Sequence, residues 1–187
     1  PIHRSPTSHS LLLPFWRTAT MRKLHVLLLG VAMLSTGFVL PGEARADDCD
    51  DVFDVYAKYA RQIVSVTFRG TDAMDEVVET AVPRIRRLQN AGEYRRARAL
   101  AARAIGNLES LGDRTHGAIR ETTSEGVRAL MRFEGNVPPD VLRELIDNLL
   151  QLAQRAANYV SGVEEDSINA IKRLFPQVSE VPIRERS

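Results

Sequence analysis

The clearest pattern of apolar and polar positions in this chain runs from Asp140 to Phe175. Apolar residues recur there at steps of three and four, and charged or amide side chains fill the opposite face, which is the periodicity of an amphipathic α-helix. A helix of this length is not stable alone in water, because helical stability in proteins comes mainly from packing of the apolar face. The pattern therefore predicts one long helix that other helices cover.

Four further helical patterns precede it. The first starts in an acidic stretch that opens at Asp47 and is expected to end at Gly70, and Gly112 is expected to separate the third from the fourth. In the second, Pro83 removes a backbone donor and crowds the preceding turn, which predicts a kink or a break. The second, third and fourth patterns cover about 71–90, 93–111 and 114–133, and the third has an alanine-rich apolar stripe that includes Tyr94 and is expected to be buried. The predicted fold is all-α, an antiparallel bundle of four to five helices.

The turn between the second and third patterns carries Gly92, Tyr94, Ala97 and Ala104 in the stretch LQNAGEYRRARALAARAI. This stretch resembles the helix–turn–helix junction of the tetratricopeptide repeat family. The resemblance implies a tight helical hairpin at Gly92. Because the pattern does not recur about 34 residues later, it indicates a single hairpin and not an array of repeats.

The first 46 residues have the pattern of an export signal. From Met21 the chain shows a basic start, a 17-residue apolar core from Leu24 to Leu40, and the small-x-small sequence Ala44-Arg45-Ala46, which together predict a cleaved signal peptide over 21–46. The alternative is a retained membrane anchor, but this core lies at the lower length limit for a span. Residues 1–20 lie upstream of Met21 and are expected to be no part of the fold. The predicted location is periplasmic or secreted.

Removal of the leader changes the charge balance. The whole chain has 25 basic and 24 acidic residues, of which five and one lie before Asp47, so 20 and 23 remain and the net charge becomes −3. A mildly acidic domain does not favour nucleic acid as a partner. The helical domain is expected to cover 47–175, with no stable membrane span after cleavage. The tail over 176–187 has too few apolar residues to pack and is expected to be disordered.

The single cysteine, Cys49, excludes an intramolecular disulfide. In an oxidising compartment, a lone thiol near the start of the mature chain could link two copies into a disulfide-bonded dimer. The alternative is an unpaired thiol with no function.

No sequence motif fixes a chemistry. His116 is the only histidine after the leader, so the paired histidines of a helical dimetal centre are not available and no metal ligands are predicted. A nucleophile elbow, a glycine-rich phosphate loop and a covalent haem motif are all missing from the sequence. No catalytic residue and no cofactor is therefore predicted, and His116 is interpreted as a partly exposed residue near a helix end.

The strongest anomaly is the placement of arginine. Seven arginines and one acid, Glu93, lie between Pro83 and Leu108. One interpretation is a bias toward arginine combined with ion pairs to acidic helices. The other is a surface for an acidic protein or other anionic partner, because guanidinium groups match carboxylates and phosphates. The predicted partner-binding residues are Arg84, Arg87, Arg95 and Arg98.

Two classes of function follow from these patterns. The first is an exported, non-catalytic helical interaction module, such as an adaptor, a chaperone-like binder or a subunit of an envelope complex. The alternative is a small-ligand binder or enzyme whose site lies in the bundle core, built from inward arginines and acids. Uninterrupted apolar stripes favour the first class.

Overall fold

The computed structural model describes residues 46–175, which form three α-helices and no strand. They are α1 (Ala46–Asn90), α2 (Tyr94–Leu130) and α3 (Pro139–Lys172), with a short 3-10 turn over Met131–Phe133. All three helices belong to one compact unit. The predicted export signal, the residues upstream of it and the C-terminal tail lie outside the described residues.

The all-α prediction is confirmed, but the described residues form three helices where four to five were expected. The predicted boundaries at Gly70 and Gly112 do not exist, because both glycines lie inside continuous helices. Pro83 also lies within α1, which is not broken into two. The prediction of a single long last helix is confirmed by α3, and Pro139 opens it as the first helical residue.

The interior glycines allow neighbouring helices to approach closely. A methyl group at Gly70 would collide with the side chain of Thr115 on α2, and one at Gly126 would lie 2.7 Å from Leu149 on α3 and 2.9 Å from Tyr59 on α1. The energetic cost of glycine in a helix is therefore offset by close packing. From the sequence, Gly70 was predicted to end a helix, because a local pattern contains no information about these packing neighbours.

The core is apolar along the whole bundle. Each helix packs against the other two, and the predicted alanine stripe of α2 is buried at Ala97, Ala101 and Ala104. The largest fully buried side chains are Ile63, Met74, Ile85, Leu108, Ile119, Leu130, Leu149 and Ile171. Burial of this kind is the main favourable contribution to folding.

Buried threonines satisfy their hydroxyl groups within their own helices. The hydroxyls of Thr67, Thr115 and Thr123 each donate to the carbonyl four residues earlier, at 2.7–2.8 Å. Within the described residues no buried side-chain nitrogen or oxygen lacks a partner. The interior therefore contains no unsatisfied polar group that a ligand would be needed to satisfy.

Short connections fix the topology. Three residues join α1 to α2, so these helices are antiparallel, and α3 then runs parallel to α1. The side-chain amide of Gln89, at the end of α1, donates to the carbonyl oxygen of Leu174, just after α3, at 2.7 Å. This bond ties together the ends of α1 and α3, beside the start of α2.

Candidate functional site

The turn between α1 and α2 has the geometry of a Schellman cap. The Glu93 amide donates to the Leu88 carbonyl at 2.8 Å, and the Gly92 amide donates to the Gln89 carbonyl at 3.0 Å. Gly92 has a φ of 74°, a left-handed conformation that favours glycine. The hairpin that the tetratricopeptide resemblance implied at Gly92 is therefore present, with a turn defined by its own hydrogen bonds.

This turn brings the four predicted partner-binding arginines to one end of the bundle. Arg84 and Arg87 lie in the last two turns of α1, and Arg95 and Arg98 lie in the first two turns of α2. All four side chains are exposed. We call this region, defined by these four arginines and Tyr94, the arginine-rich end.

The arginines of this end are not neutralised by nearby acids. Arg96 Nη1 lies 2.6 Å from Glu93 Oε2, in an exposed pair one turn apart, but none of the four predicted residues pairs with an acid among the described residues. The interpretation that these arginines serve as ion-pair partners of the acidic helices therefore has no support in the described contacts.

Helix polarity accounts for Arg87 but not for Arg95. Arg87 lies in the last turn of α1, where the helix dipole stabilises a cation. Arg95 lies in the first turn of α2, where the same dipole disfavours a cation by a comparable amount, about 0.3–1 kcal/mol at low salt. The first turn of α2 contains no acid. Helix stability therefore does not account for Arg95.

Tyr94 differs from its prediction. Its spacing from Ala97 assigned it to the buried stripe of α2, but its side chain is 61% exposed. Tyr94 is the first residue of α2 and lies past the end of α1 at Asn90, so no turn of α1 covers it. An exposed tyrosine among arginines matches the composition of protein interface centres, in which both residue types are enriched.

The described part of the bundle interior has no buried charged side chain. The five buried polar side chains in the described residues are threonines and a serine, and no arginine, lysine, aspartate or glutamate is buried there: Thr67, Thr71, Thr115, Thr123 and Ser167. The alternative function was predicted to use inward arginines and acids. The described core has no such inward groups.

An open groove of about 820 Å³ lies on the surface between α2 and α3. Its apolar lining includes Leu150, whose side chain is 47% exposed, and two arginines, Arg120 and Arg128, are among its polar lining residues. This groove could not be predicted from the sequence, because helical periodicity shows which face of a helix is apolar but not which two faces meet.

One end of the groove carries His116, which lies in the middle of α2 and not near a helix end as predicted. Its Nε2 atom is 3.2 Å from Ser161 Oγ on α3. Burial raises the pKa of the nearby Glu164 carboxyl group, His116 opposes this shift, and Asp113 and Glu109 add to it.

The serine–histidine contact does not form an acyl-transfer site. Both residues lie inside long helices, where backbone amides already donate to carbonyls one turn earlier and cannot stabilise an oxyanion. In the part of the chain that the structure describes, no three His, Cys, Asp or Glu side chains are arranged to hold a metal ion. The predicted disulfide through Cys49 lies outside the residues whose side chains are described.

Comparison with known proteins finds no matching family, no matching curated protein and no matching solved structure. No function is therefore carried over from a relative. Among the helices described over 46–175, none has both the length and the apolar character needed to cross a membrane.

Proposed function

We propose that this protein is an exported, non-catalytic interaction module that binds an acidic protein partner at its arginine-rich end. The observation that carries the proposal is the exposed set of Arg84, Arg87, Arg95 and Arg98 beside Tyr94, without acidic partners among the described residues. Export rests on the signal pattern over 21–46. The lack of buried charged side chains in the described core favours this class over a ligand-binding or catalytic bundle.

The chemistry of the arginine-rich end suits a carboxylate-rich surface. A guanidinium group presents a planar fork of donors that can hold a carboxylate through two hydrogen bonds, and it is easier to desolvate than an ammonium group. Tyr94 adds an apolar ring with a polar tip at little entropic cost. The Schellman turn holds the two arginine pairs at a fixed separation, so less conformational freedom is lost on binding.

The proposal is tested by fluorescence polarisation with a labelled oligoglutamate peptide as the probe. Reversal of charge in Arg87→Glu/Arg95→Glu is expected to weaken binding at least tenfold, or about 1.4 kcal/mol. Binding to the unaltered protein is expected to weaken steeply between about 50 mM and 300 mM salt, because exposed charges are screened over about 10 Å at 0.1 M.

The matched control is Arg61→Glu/Arg143→Glu, which reverses two exposed arginines away from the arginine-rich end. It is expected to change affinity less than twofold. Equal losses in both variants would indicate general charge attraction and contradict a specific site. Unfolding of Arg87→Glu/Arg95→Glu, measured by circular dichroism, would instead assign these arginines a structural role and contradict the proposal.

A further inference from the structure

The solvent face of α1 changes charge sign along its length. Positions at alternating steps of four and three residues form one exposed line that spans about 27 Å at about 1.5 Å per residue. The line comprises Asp72, Glu76, Glu79, Pro83, Arg86 and Asn90, all exposed. With the adjacent Asp75 and Arg87, it forms a stripe, here called the α1 stripe, that is acidic in its first half and basic in its second.

The acids of the α1 stripe repel one another. The pKa of Asp75 is raised by partial burial of its carboxyl group and then by Asp72 and Glu79. Asp75 and Asp72 also contribute to the raised pKa of Tyr159 on α3, after the burial of that ring. Among the described residues, no ion pair involves the exposed acids of the stripe.

Within one chain, the acidic and basic halves of the stripe form no ion pair among the described residues. The nearest opposite charges of the stripe, Glu79 and Arg86, are seven residues apart on one continuous helix, a rise of about 10 Å. Ion pairs need their charged atoms within about 4 Å. Any partner must therefore bring its own charges to the stripe.

We propose that the partner is a second copy of this chain, with its α1 antiparallel to the first and a two-fold axis level with residue 81. This arrangement places Asp75 opposite Arg87 of the second copy and Glu76 opposite Arg86 of the second copy. Two-fold symmetry makes each contact twice. Asp72 then meets Asn90 of the second copy, so no like charges face each other along the line.

The proposal rests on the proposed docking role of the arginine-rich end and names its acidic partner. Arg87 belongs both to that end and to the α1 stripe. Because the seam is polar and exposed, the dimer is weak and depends on low salt. Its specificity comes from the order of charges along α1, which only an antiparallel copy matches in this register.

Analytical ultracentrifugation tests this pairing directly. The unaltered protein is expected to form a dimer at about 20 mM salt and to become monomeric at about 0.5 M, where the screening length falls to a few ångströms. Two double variants are compared, Asp75→Arg/Glu76→Arg and Arg86→Glu/Arg87→Glu. In a dimer of either variant alone, like charges face each other at both symmetry-related contacts. Each is expected to raise the dimer Kd at least tenfold.

Mixing the two variants gives the decisive result. In the mixed dimer every reversed acid faces a reversed arginine, so association is expected to return to within about threefold of the unaltered protein. Glu121→Arg, a reversal of an exposed acid on α2, is the control and is expected to leave the dimer Kd unchanged. A mixture that stays monomeric, or a protein that is monomeric at low salt, would overturn the proposal.

The two proposals can fail separately. Asp75→Arg/Glu76→Arg leaves the arginine-rich end intact, so it is expected to lose self-association and keep its affinity for oligoglutamate. A monomeric protein that still binds oligoglutamate through Arg87 and Arg95 would overturn self-pairing and support docking of a different acidic protein. The opposite result is a protein that does not bind oligoglutamate but forms a salt-sensitive dimer, which the mixed variants restore. That result would support self-pairing and contradict a general docking site.

Discussion

Individual glycines in this bundle have different roles even though all of them look alike in the sequence. Gly126 faces Tyr59 and Leu149 across a helix contact, whereas Gly106, on the same helix, has no side-chain neighbour within 4 Å of an added methyl group. Both residues lie inside α2. The difference comes from tertiary neighbours, and it can be measured.

Gly126→Ala is expected to lower the free energy of unfolding by about 1–3 kcal/mol, because the added methyl group overpacks a tight contact. Gly106→Ala is expected to raise it by about 0.5–1 kcal/mol through helix propensity alone. Urea denaturation followed by circular dichroism measures both. Stabilisation by both substitutions would contradict a close contact at Gly126.

Glu164 provides a prediction on pH. Its pKa is raised above the ordinary value of 4.5, chiefly by burial. Near and above that pH, the carboxyl group therefore holds its proton more tightly in the folded state than in the unfolded state. The free energy of unfolding falls as pH rises from the unfolded pKa through the folded pKa. Glu164→Gln removes this loss. The stability of the variant relative to the unaltered protein is therefore expected to increase from about pH 4 to pH 7.

Denaturation curves at several pH values measure this difference. Glu165→Gln, an exposed neighbour on α3, serves as the control and is expected to follow the pH profile of the unaltered protein. The groups that face Glu164 from α2 are His116, Asp113 and Glu109. A Glu164→Gln profile parallel to that of the unaltered protein would show that burial does not disfavour the charged carboxylate.

At the scale of elements, α1 continues through two residues that ordinarily end helices. Gly70 is compensated by its close contact with α2, but Pro83 is exposed and no described contact compensates its missing donor. The helix bears this cost because tertiary packing of its apolar face outweighs local propensity. Removal of the proline should recover part of that cost.

Pro83→Ala is expected to raise the free energy of unfolding by about 2 kcal/mol. Proline in a helix interior costs about 3 kcal/mol relative to alanine. Its removal also makes the unfolded chain more flexible, which reduces the gain in stability by about 0.4–1 kcal/mol. Thr80→Ala, at an exposed position three residues earlier, is expected to stay within about 0.5 kcal/mol. Thermal denaturation separates the two. No gain from Pro83→Ala would mean that its ring makes a compensating contact.

The helices could be predicted from the sequence to different degrees. The apolar stripe predicted that α3 exists and nearly where it begins and ends, because 34 residues of strong periodicity leave little ambiguity. The number of helices could not be predicted, since local pattern does not distinguish a glycine that ends a helix, such as Gly92, from one that packs, such as Gly70. That distinction depends on residues distant in sequence.

At the scale of the whole molecule, the up-down-up order of the three helices described over 46–175 determines which surfaces can be inferred. The outward direction of the arginines near Gly92 followed from the apolar stripes beside them, and all four are exposed. The exposure of Tyr94 and the groove between α2 and α3 depend on where a neighbouring helix ends or lies. Their identification required the assembled bundle.

The hydrogen bond from Gln89 to Leu174 also places the last described residue, Phe175, near the arginine-rich end. Twelve residues separate Phe175 from a tag fused after Ser187, and a chain of 12 residues spans at most about 40 Å. An acidic affinity tag fused after Ser187 would therefore reach Arg87 and Arg95 at a local concentration in the millimolar range. Such a tag would compete with any added acidic ligand and mask both binding and self-association. A tag of neutral composition, or one removed by protease, leaves this surface free.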